Sequence, residues 1–531
     1  MIERRDYIAP TFNYQPRFNK PVLSYWIVAG FYKLFGVSVA VQRLPIALGA
    51  VILILTASVL AYAGAGSGSQ AAGRRGAAID AALWSGLGLA VAPRLVMFGR
   101  RIFIDIYISM FMALTLLFFA LAERYPGRRR LFLLLMYAAV GLGVLTKGPV
   151  AAALPGLVFA VYLLVHRELK RVREMMIPAG IVLVLAIVVP WYAALYERYG
   201  WTYITSFIRG ENIARFTEGF GVESRRGPLF YVPVVFSDSF PWSLCLFGAA
   251  GLWFADRRGR AAAAAPHQDP RLDDRAFRVR TLLWLWVLGI VAFFSLSAAK
   301  QDLYVFPIVP AVAALGGLFI ARDGPLGGPA RPRTLRATAA VTAGLLAIAG
   351  AGTLYVFQSS GKVYALNGAA FVGGAGAVGG VVALALAALN RSRAAFAAVL
   401  VAFVTLNWAF VVRVLPSFER YKPVPRLSAV IRERSVPGDQ IVHYNVALPS
   451  MVFYLQRHIE VLFDREAFLH RLRAGGTVYA VLSANDYAGL LPEIGVPTCV
   501  LERRPTVNVK LKAVLARDPL PEVLLITNKC E

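Results

Sequence analysis

The sequence predicts a polytopic α-helical membrane protein that ends in an α/β domain outside the cytoplasm. Composition is the first observation: 58% of the 531 residues are apolar and only 16% are charged, which is typical of a chain that crosses a bilayer several times. The second is that long apolar runs recur as far as residue 415. The net charge of +26 lies in short loops between these runs, which favours anionic lipid and argues against a nucleic-acid-binding protein.

Residues 1–415 form the predicted membrane domain. A polar stretch, residues 1–20, precedes a short segment whose Tyr25 and Trp26 suit an interfacial helix. We expect outward loops with interfacial helices at 1–38 and 196–237. About twelve spans are visible by length and hydropathy: 39–64, 78–98, 103–122, 131–146, 149–165, 176–195, 238–255, 281–298, 303–321, 335–357, 367–389 and 395–415.

Arginine-rich loops set the expected orientation. Every second loop between spans carries a group of arginines, so the positive-inside rule places these loops in the cytoplasm and both termini outside. A polar N-terminus outside, with no apolar segment before it, predicts a further transmembrane helix upstream of this sequence.

Residues 416–531 are predicted to form a periplasmic α/β domain of ordinary size. Pro416, Pro423 and Pro425 indicate a linker, after which strands and helices alternate. Strands are expected at 440–444, 459–463, 477–482, 500–502 and 523–527, and helices at 447–457 and 465–474. Cys499 and Cys530 either form a disulfide or remain two separate thiols.

Patterned charges mark the outward loops. Asp105 follows Arg100 and Arg101 between two apolar runs, where an ionisable group costs roughly 2.5–3.5 kcal/mol at the bilayer centre and is rare without a function. The plainer alternative is an ion pair between Asp105 and Arg101. Three further motifs carry single bases: Phe18-Asn19-Lys20-Pro21, Leu145-Thr146-Lys147-Gly148-Pro149, and Ser297 to Pro307 with Lys300 and Tyr304.

Together with Glu211-Asn212-Ile213-Ala214-Arg215-Phe216, these motifs resemble those of the bacterial polyprenyl-phosphate-sugar glycosyltransferases with the GT-C fold. That family includes the lipid A aminoarabinose transferases and, more distantly, the protein O-mannosyltransferases. The resemblance runs over most of residues 1–320. It implies thirteen spans, so that the twelve visible ones leave one missing.

The resemblance implies roles for single residues. Asp105 would be the catalytic carboxylate. The remaining candidates would bind the donor phosphate or substrate: Lys20, Arg43, Arg100, Arg101, Lys147, Glu211, Arg215, Lys300 and Tyr304. The alternatives are snorkelling at helix ends for the lysines, a local ion pair for Glu211 and Arg215, and a positional role for Arg43.

The sequence departs from the family at two places. An Asp-Glu pair that the family carries after its first span has no counterpart in residues 1–20, so we expect either an upstream extension or an inactive copy. Aminoarabinose transferases bind a divalent metal through a glutamate and a histidine, and Asn19 and Asn212 stand at those positions here. No metal ligands are therefore predicted, although a divalent metal stays possible.

The expected function is transfer of a sugar from a polyprenyl-phosphate donor, such as an undecaprenyl-phosphate sugar, at the outer side of a bacterial inner membrane. The acceptor would be a lipid A-like glycolipid, a protein hydroxyl or a cell-envelope glycan. Three alternatives stay open: a lipid-linked-sugar flippase or transporter, a polymerase or ligase of lipid-linked glycans, and a non-catalytic relative that binds polyprenyl phosphate.

Overall fold

Long apolar helices dominate the computed structural model. Nine helices among the described residues are long and apolar enough to cross a membrane. Shorter apolar helices accompany them, at Val150–Val165, Pro228–Asp238 and Trp242–Ala255. The predicted polytopic helical fold is confirmed.

The structure describes residues 1–17, 19–65, 71–218, 226–262, 270–321, 331–359, 366–506 and 519–530. Two units separate by their contacts. The first unit comprises Met1–Pro10, Arg17–Ala347 and Gly379–Val404, and the second comprises Thr11–Pro16, Ile348–Val378 and Thr405–Glu531. The domain boundary predicted between residues 415 and 416 stays a prediction.

The helices from the N-terminus to residue 409 are the following, in chain order: α1 Leu23–Phe35, α2 Val39–Gly64, α3 Ala71–Ala90, α4 Pro93–Phe98, α5 Asp105–Arg124, α6 Arg129–Lys147, α7 Val150–Val165, α8 Ile177–Tyr199, α9 Trp201–Thr205, α10 Arg215–Thr217, α11 Tyr231–Asp238, α12 Cys245–Ala262, α13 Pro270–Leu296, α14 Val309–Ile320, α15 Arg331–Leu354, α16 Ala369–Ala388 and α17 Ser392–Ala409. A π-helix, Ser206–Ala214, joins α9 to α10, and a 3₁₀ segment, Asp302–Ile308, precedes α14.

The single span predicted at 78–98 is wrong. Helix α3 ends at Ala90, and α4 starts at Pro93 after an extended Ala92. Proline disfavours helical backbone in the residue before it, and it fits the first turn of the next helix. The break separates α4 from α3 as a short helix, and Arg94 of α4 contributes to the site described below.

Small residues allow the helices of the first unit to pack closely. A Cβ added at Gly317 of α14 would lie 2.4 Å from the carbonyl oxygen of Ala81 on α3, so only glycine permits this approach. Helix α8, by contrast, leaves aliphatic side chains such as Val182 exposed at 67%. Such a face is what a helix presents to lipid chains.

The second unit holds all seven strands that the described residues form. They are β1 Thr11–Phe12, β2 Gln15–Pro16, β3 Gln440–Tyr444, β4 Glu460–Leu462, β5 Val478–Ser483, β6 Cys499–Pro505 and β7 Glu522–Thr527. β1 and β2 form a hairpin, and the other five form a sheet in the order β4-β3-β5-β7-β6. β3 is parallel to β4 and β5, whereas β7 is antiparallel to β5 and β6. Its helices are α18 Leu415–Phe418, α19 Pro423–Arg434, α20 Met451–Leu455, α21 Arg465–Arg473 and α22 Ala484–Leu490.

Helices cover both faces of this sheet, because its strands alternate apolar side chains to each side. Val442, Ala480 and Ile526 pack in one apolar cluster with Leu469 of α21, and the other face packs in a second cluster with α19. The predicted strands and the C-terminal sheet domain are confirmed.

Two expectations for this region are settled by the structure. The linker predicted from prolines is wrong in part: Pro423 is the first residue of α19, where a missing N–H costs nothing. Cys499 and Cys530 form a disulfide, with Cα atoms 5.5 Å apart, which fits an oxidising compartment.

Candidate active site

Asp105 and Lys147 meet at the ends of two neighbouring helices. Asp105 is the first residue of α5, and Lys147 is the last residue of α6. A carboxylate at a helix N-terminus and an ammonium at a C-terminus are both favoured by the helix dipole. The Lys147 ammonium donates to the Asp105 carboxylate, and the two side chains are 19% and 16% exposed. The ion pair of Asp105 therefore joins two helices, whereas its sequence neighbour Arg101 is exposed.

A cavity of about 410 Å³ surrounds this pair, and we call it the Asp105 cavity. Its polar lining comes from Lys20, Asp105, Ser109, Lys147, Thr217, Ser297 and Gln301. Its apolar walls come from α5, α7, α13, the 206–217 segment and the 3₁₀ segment, through Ile108, Met112, Val150, Leu154, Ile213, Phe216, Phe293, Phe294, Leu303, Tyr304 and Pro307 among others. The volume suits a small-molecule site, and mostly apolar walls with a few converging polar groups are usual for one.

Tyr304 lies beside the ion pair. The Lys147 ammonium is 5.3 Å from the centroid of the Tyr304 ring, which is cation–π distance. The Phe294 ring is 5.0 Å from the same ring. Tyr304, which the resemblance assigns to the donor-phosphate site, is thus close to Lys147.

Arg94 fixes the segment that carries Tyr304. Its Nε donates to Asp238 at the end of α11, at 2.8 Å, and its guanidinium also pairs with Asp302 at 2.8 Å. Because Asp302 starts the 3₁₀ segment, one arginine connects α4, α11 and this segment. The break between α3 and α4 is what places Arg94 there.

Lys300 lies next to the Asp105 cavity but does not line it. Its side chain is buried, and its ammonium donates to the carbonyl of Ser297 at 2.6 Å. It lines an adjoining cavity with Phe216 and Thr217, and the guanidinium of Arg226 donates to its carbonyl at 2.7 Å. Ser297 lines both cavities.

The remaining candidates divide into three groups. Lys20 lines the Asp105 cavity. Arg43, Arg100 and Arg101 are exposed and do not line it. Glu211 and Arg215 belong to the π-helix and to α10, and their side chains lie outside what the structure describes.

Ser109 is a site residue that sequence reasoning missed. It lies one turn after Asp105 on the same face of α5, lines the cavity and is 1% exposed. Its hydroxyl has no hydrogen-bond partner in the described part of the chain. Buried hydroxyls nearly always have a partner, so a ligand group is a natural one here. The four-residue spacing from Asp105 was the signal that could have found it.

The donor set of the Asp105 cavity does not fit a divalent metal. Across the described ranges, no group of three or more histidine, cysteine, aspartate or glutamate side chains is close enough to hold an ion. Asp105 is the only carboxylate among the described residues that line the cavity, and it is already paired with an ammonium. Divalent cations prefer several oxygen or imidazole ligands.

Comparisons with known proteins point to the same family as the sequence motifs. Residues 19–193 match the family model described as dolichyl-phosphate-mannose-protein mannosyltransferase. An undecaprenyl phosphate-alpha-4-amino-4-deoxy-L-arabinose arabinosyl transferase 1 from Pseudomonas fluorescens (strain Pf0-1) is 26% identical over 330 residues, covering 60% of this chain and 51% of that protein. The transferase of that name from Pectobacterium carotovorum is 25% identical over 545 residues, covering 98% of this chain and 87% of the relative. The chain spans about half the length of several curated relatives that it matches.

Two crystal structures of ArnT from Cupriavidus metallidurans, one apo and one bound to undecaprenyl phosphate, each match with a TM-score of 0.73 at 22% identity. The matches cover 100% of this chain and 91% and 92% of the ArnT chains. This multi-pass membrane protein therefore has the ArnT fold. Its resemblance to the polyprenyl-phosphate-sugar glycosyltransferases, expected from the motifs, is confirmed.

Proposed function

We propose that the protein is a membrane glycosyltransferase that moves a sugar from a polyprenyl-phosphate donor to a lipid A-like acceptor. The observation that carries this proposal is the Asp105–Lys147 ion pair inside an apolar-walled cavity that Lys20 and Tyr304 also line. A donor of this class joins an isoprenoid chain, a phosphate and a sugar, and the cavity offers a surface for each.

Charge complementarity supports an anionic donor. Among the described residues, the ammonium groups of Lys20 and Lys147 and the carboxylate of Asp105 line the cavity. A phosphate entering it meets these ammonium groups in a site partly shielded from water, where electrostatic stabilisation is strongest. The apolar side chains of α7 and α13 suit the first isoprene units.

The relatives narrow the donor. Their names indicate undecaprenyl phosphate-linked aminoarabinose, and one ArnT structure holds undecaprenyl phosphate. We infer the same carrier for this chain, and we take aminoarabinose and a lipid A-like glycolipid as the first pair to test.

The geometry suggests how the reaction runs. The acceptor hydroxyl oxygen attacks the anomeric carbon, the bond from that carbon to the phosphate oxygen breaks, and the electron pair leaves with polyprenyl phosphate. Asp105 takes the acceptor's proton. Once protonated, it no longer holds Lys147, so the ammonium turns to the phosphate as its charge develops. Attack opposite the phosphate inverts the anomeric configuration.

We place the reaction at the outer side of the bacterial inner membrane. The arginine-rich loops favour a cytoplasmic location for the opposite face. The Cys499–Cys530 disulfide supports an extracytoplasmic location for the C-terminal sheet.

A reconstituted transfer assay tests the proposal. Purified protein in vesicles receives the undecaprenyl-phosphate sugar and lipid A, and the glycosylated lipid is measured. We expect transfer by the native protein and a loss of about 100-fold or more in Lys147→Met, which is typical for removal of a group that stabilises developing charge. Arg43→Met, a change in an exposed cation outside the cavity, serves as the matched control and keeps near-native transfer.

The other outcomes separate the competing functions. Movement of the donor from one leaflet of the vesicle membrane to the other, without a new glycosidic bond, would identify a flippase. Tight binding of undecaprenyl phosphate with neither transfer nor movement would identify a non-catalytic binder. Either result rejects the proposed activity.

A further inference from the structure

A cavity of about 690 Å³ lies at the opposite end of α14 from the Asp105 cavity. Helix α14 follows the segment of Tyr304 and ends at Ile320, which lines this distant cavity. A helix of 12 residues spans roughly 18 Å, so the two cavities are separate sites. We call this one the arginine cavity.

Four arginines define its chemistry. Arg333 and Arg336 come from the first turns of α15, and Arg391 and Arg393 flank the start of α17. No acidic side chain is among the described residues that line it. The N-termini of α15 and α17 both lie here, and each adds partial positive charge from its free N–H groups. The positive charge of the site therefore comes both from the arginine side chains and from the backbone N–H groups of two helix N-termini.

Two of the arginines are held in place by the protein. The guanidinium of Arg336 donates to the side-chain oxygen of Asn390 at 2.7 Å and to the carbonyl of Ala388 at 3.2 Å. Arg393 donates to both carboxylate oxygens of Asp80 at 2.7 Å. These contacts fix the walls of the cavity.

The other two arginines are available to a ligand. Arg333 and Arg391 are exposed, and neither forms an ion pair with another residue in the ranges that the structure covers. Their guanidinium groups can each offer two parallel N–H donors, which is the geometry that suits phosphate oxygens. The cavity is built to receive an anion with several oxygen acceptors.

Apolar neighbours favour a lipid over a free anion. Ile320 and Leu335 line the cavity alongside the arginines, and Leu389, next to Asn390, is 68% exposed. Acyl chains can cover such aliphatic surface, whereas a dissolved anion cannot. We propose that the arginine cavity binds the phosphate headgroup of an anionic phospholipid in the leaflet opposite to the Asp105 cavity. Basic pockets between membrane helices serve this purpose in general.

Lipid retention tests this assignment. The full-length protein is purified in neutral detergent, loaded with mixtures of phosphatidylcholine and an anionic lipid, either phosphatidylglycerol or cardiolipin, and analysed by native mass spectrometry. We expect selective retention of the anionic lipid by the native protein. The double variant Arg333→Gln, Arg391→Gln should bind it at least about tenfold more weakly, since each arginine near an anionic lipid adds favourable electrostatic attraction.

Matched controls make the result decisive. Arg128→Gln with Arg130→Gln removes two exposed arginines that line neither cavity, and it should keep native retention. The far-UV circular dichroism of each variant reports whether the protein is still folded. An equal loss of lipid retention in the control pair would show that the effect comes from general surface charge, and it would overturn the proposal. Displacement of the lipid by millimolar inorganic phosphate would assign the site to a soluble anion and overturn it as well.

Discussion

The Lys147 ammonium has two competing partners in the proposed reaction. In the structure it is bound to the Asp105 carboxylate and lies 5.3 Å from the Tyr304 ring centroid. Each partner is partly shielded from water, so neither charge can lose the other without a substantial cost unless a new opposite charge arrives. A donor phosphate supplies that charge for Lys147, and the acceptor's proton neutralises Asp105.

Asp105→Asn tests the carboxylate. The amide keeps the shape but cannot take a proton, so transfer should fall by about 100-fold or more, in the range that general-base catalysis contributes. Donor affinity should not fall, because Lys147 stays in place and loses the carboxylate charge that competes with the phosphate. Transfer rates and undecaprenyl phosphate binding are measured in parallel, with Arg101→Gln, a change in an exposed arginine four residues earlier, as the control. Near-native turnover in Asp105→Asn would remove the carboxylate from the mechanism.

Ser109→Ala tests the buried hydroxyl. A single hydrogen bond to substrate is worth about 1 kcal/mol, so the KM for donor or acceptor should rise about fivefold. The empty protein should be as stable as the native one or slightly more so, because an unsatisfied hydroxyl is removed. Thr115→Val, which deletes a hydroxyl already bonded to the Phe111 carbonyl, should leave KM unchanged. An unchanged KM in Ser109→Ala would assign this hydroxyl no part in binding.

His443 makes the second unit sensitive to acid. It is buried on β3, with Nε2 3.2 Å from the Met451 sulfur, and burial lowers the pKa of its imidazole from 6.5 to about 4. The unfolded chain therefore binds a proton more readily than the folded one. Stability is complete above pH 6.5 and falls as the pH drops towards 4, by about 3 kcal/mol in all.

Hydrogen exchange of the sheet in the full-length protein measures this dependence between pH 7 and 4.5. His443→Gln should flatten the response of strands β3 and β5. His458→Gln, a change in an exposed histidine, should keep the native pH profile. An unchanged profile in His443→Gln would place the acid sensitivity elsewhere.

At the scale of elements, Arg94 joins three of them around the site. It pairs with Asp238 of α11 and with Asp302 of the 3₁₀ segment, both at 2.8 Å. That segment carries Tyr304, which touches Lys147 through its ring. The position of Tyr304 thus depends on a helix that has no residue in the cavity lining.

Arg94→Met tests this dependence. Without the ion pair between Arg94 and Asp302, the 3₁₀ segment should shift. The value of kcat should then fall about tenfold or more, since a small misplacement of a catalytic group is costly. Arg94→Lys keeps one charge and should recover part of the rate, which a purely structural defect would not predict. Arg503→Met, which breaks an exposed ion pair with Glu522, is the control and should be silent. Full activity in Arg94→Met would show that the position of Tyr304 does not depend on Arg94.

Hydropathy was enough to predict the helices, because a span must be apolar along its whole length. The end of α3 was missed, since the stretch around Pro93 is mostly apolar, with Arg94 as a single charge directly after the proline, and backbone sterics separates the two helices there. Pro423 was misread for the opposite reason: proline in a first helical turn looks like a linker. The sheet was visible in its alternating strands, but its order depends on long-range pairing that no local pattern specifies.

The site was predictable to the extent that its charges were unusual. Asp105, Lys147, Lys20 and Tyr304 stood in patterned motifs, and the structure places all four at one cavity. Arg94 and Ser109 did not stand out, because an arginine or a serine near a helix end has many ordinary roles. Their importance appears only once α4 and α5 are placed.

At the scale of the whole first unit, its two ends differ in chemistry. The Asp105 cavity combines an ion pair with apolar walls, and the arginine cavity at the other end of α14 presents a concentration of positive charge. A lipid-linked donor and an anionic membrane lipid would then occupy separate places on one bundle. The central claim concerns the first of these sites.

Photo-crosslinking with an undecaprenyl phosphate analogue tests that claim most directly. A photoreactive group in the first isoprene units should label residues of α7, α13 and the segment around Tyr304, and Lys147→Met should reduce the labelling about tenfold. Labelling that is concentrated elsewhere on the protein, or that is unaffected by Lys147→Met, would contradict the assignment of the Asp105 cavity to the donor.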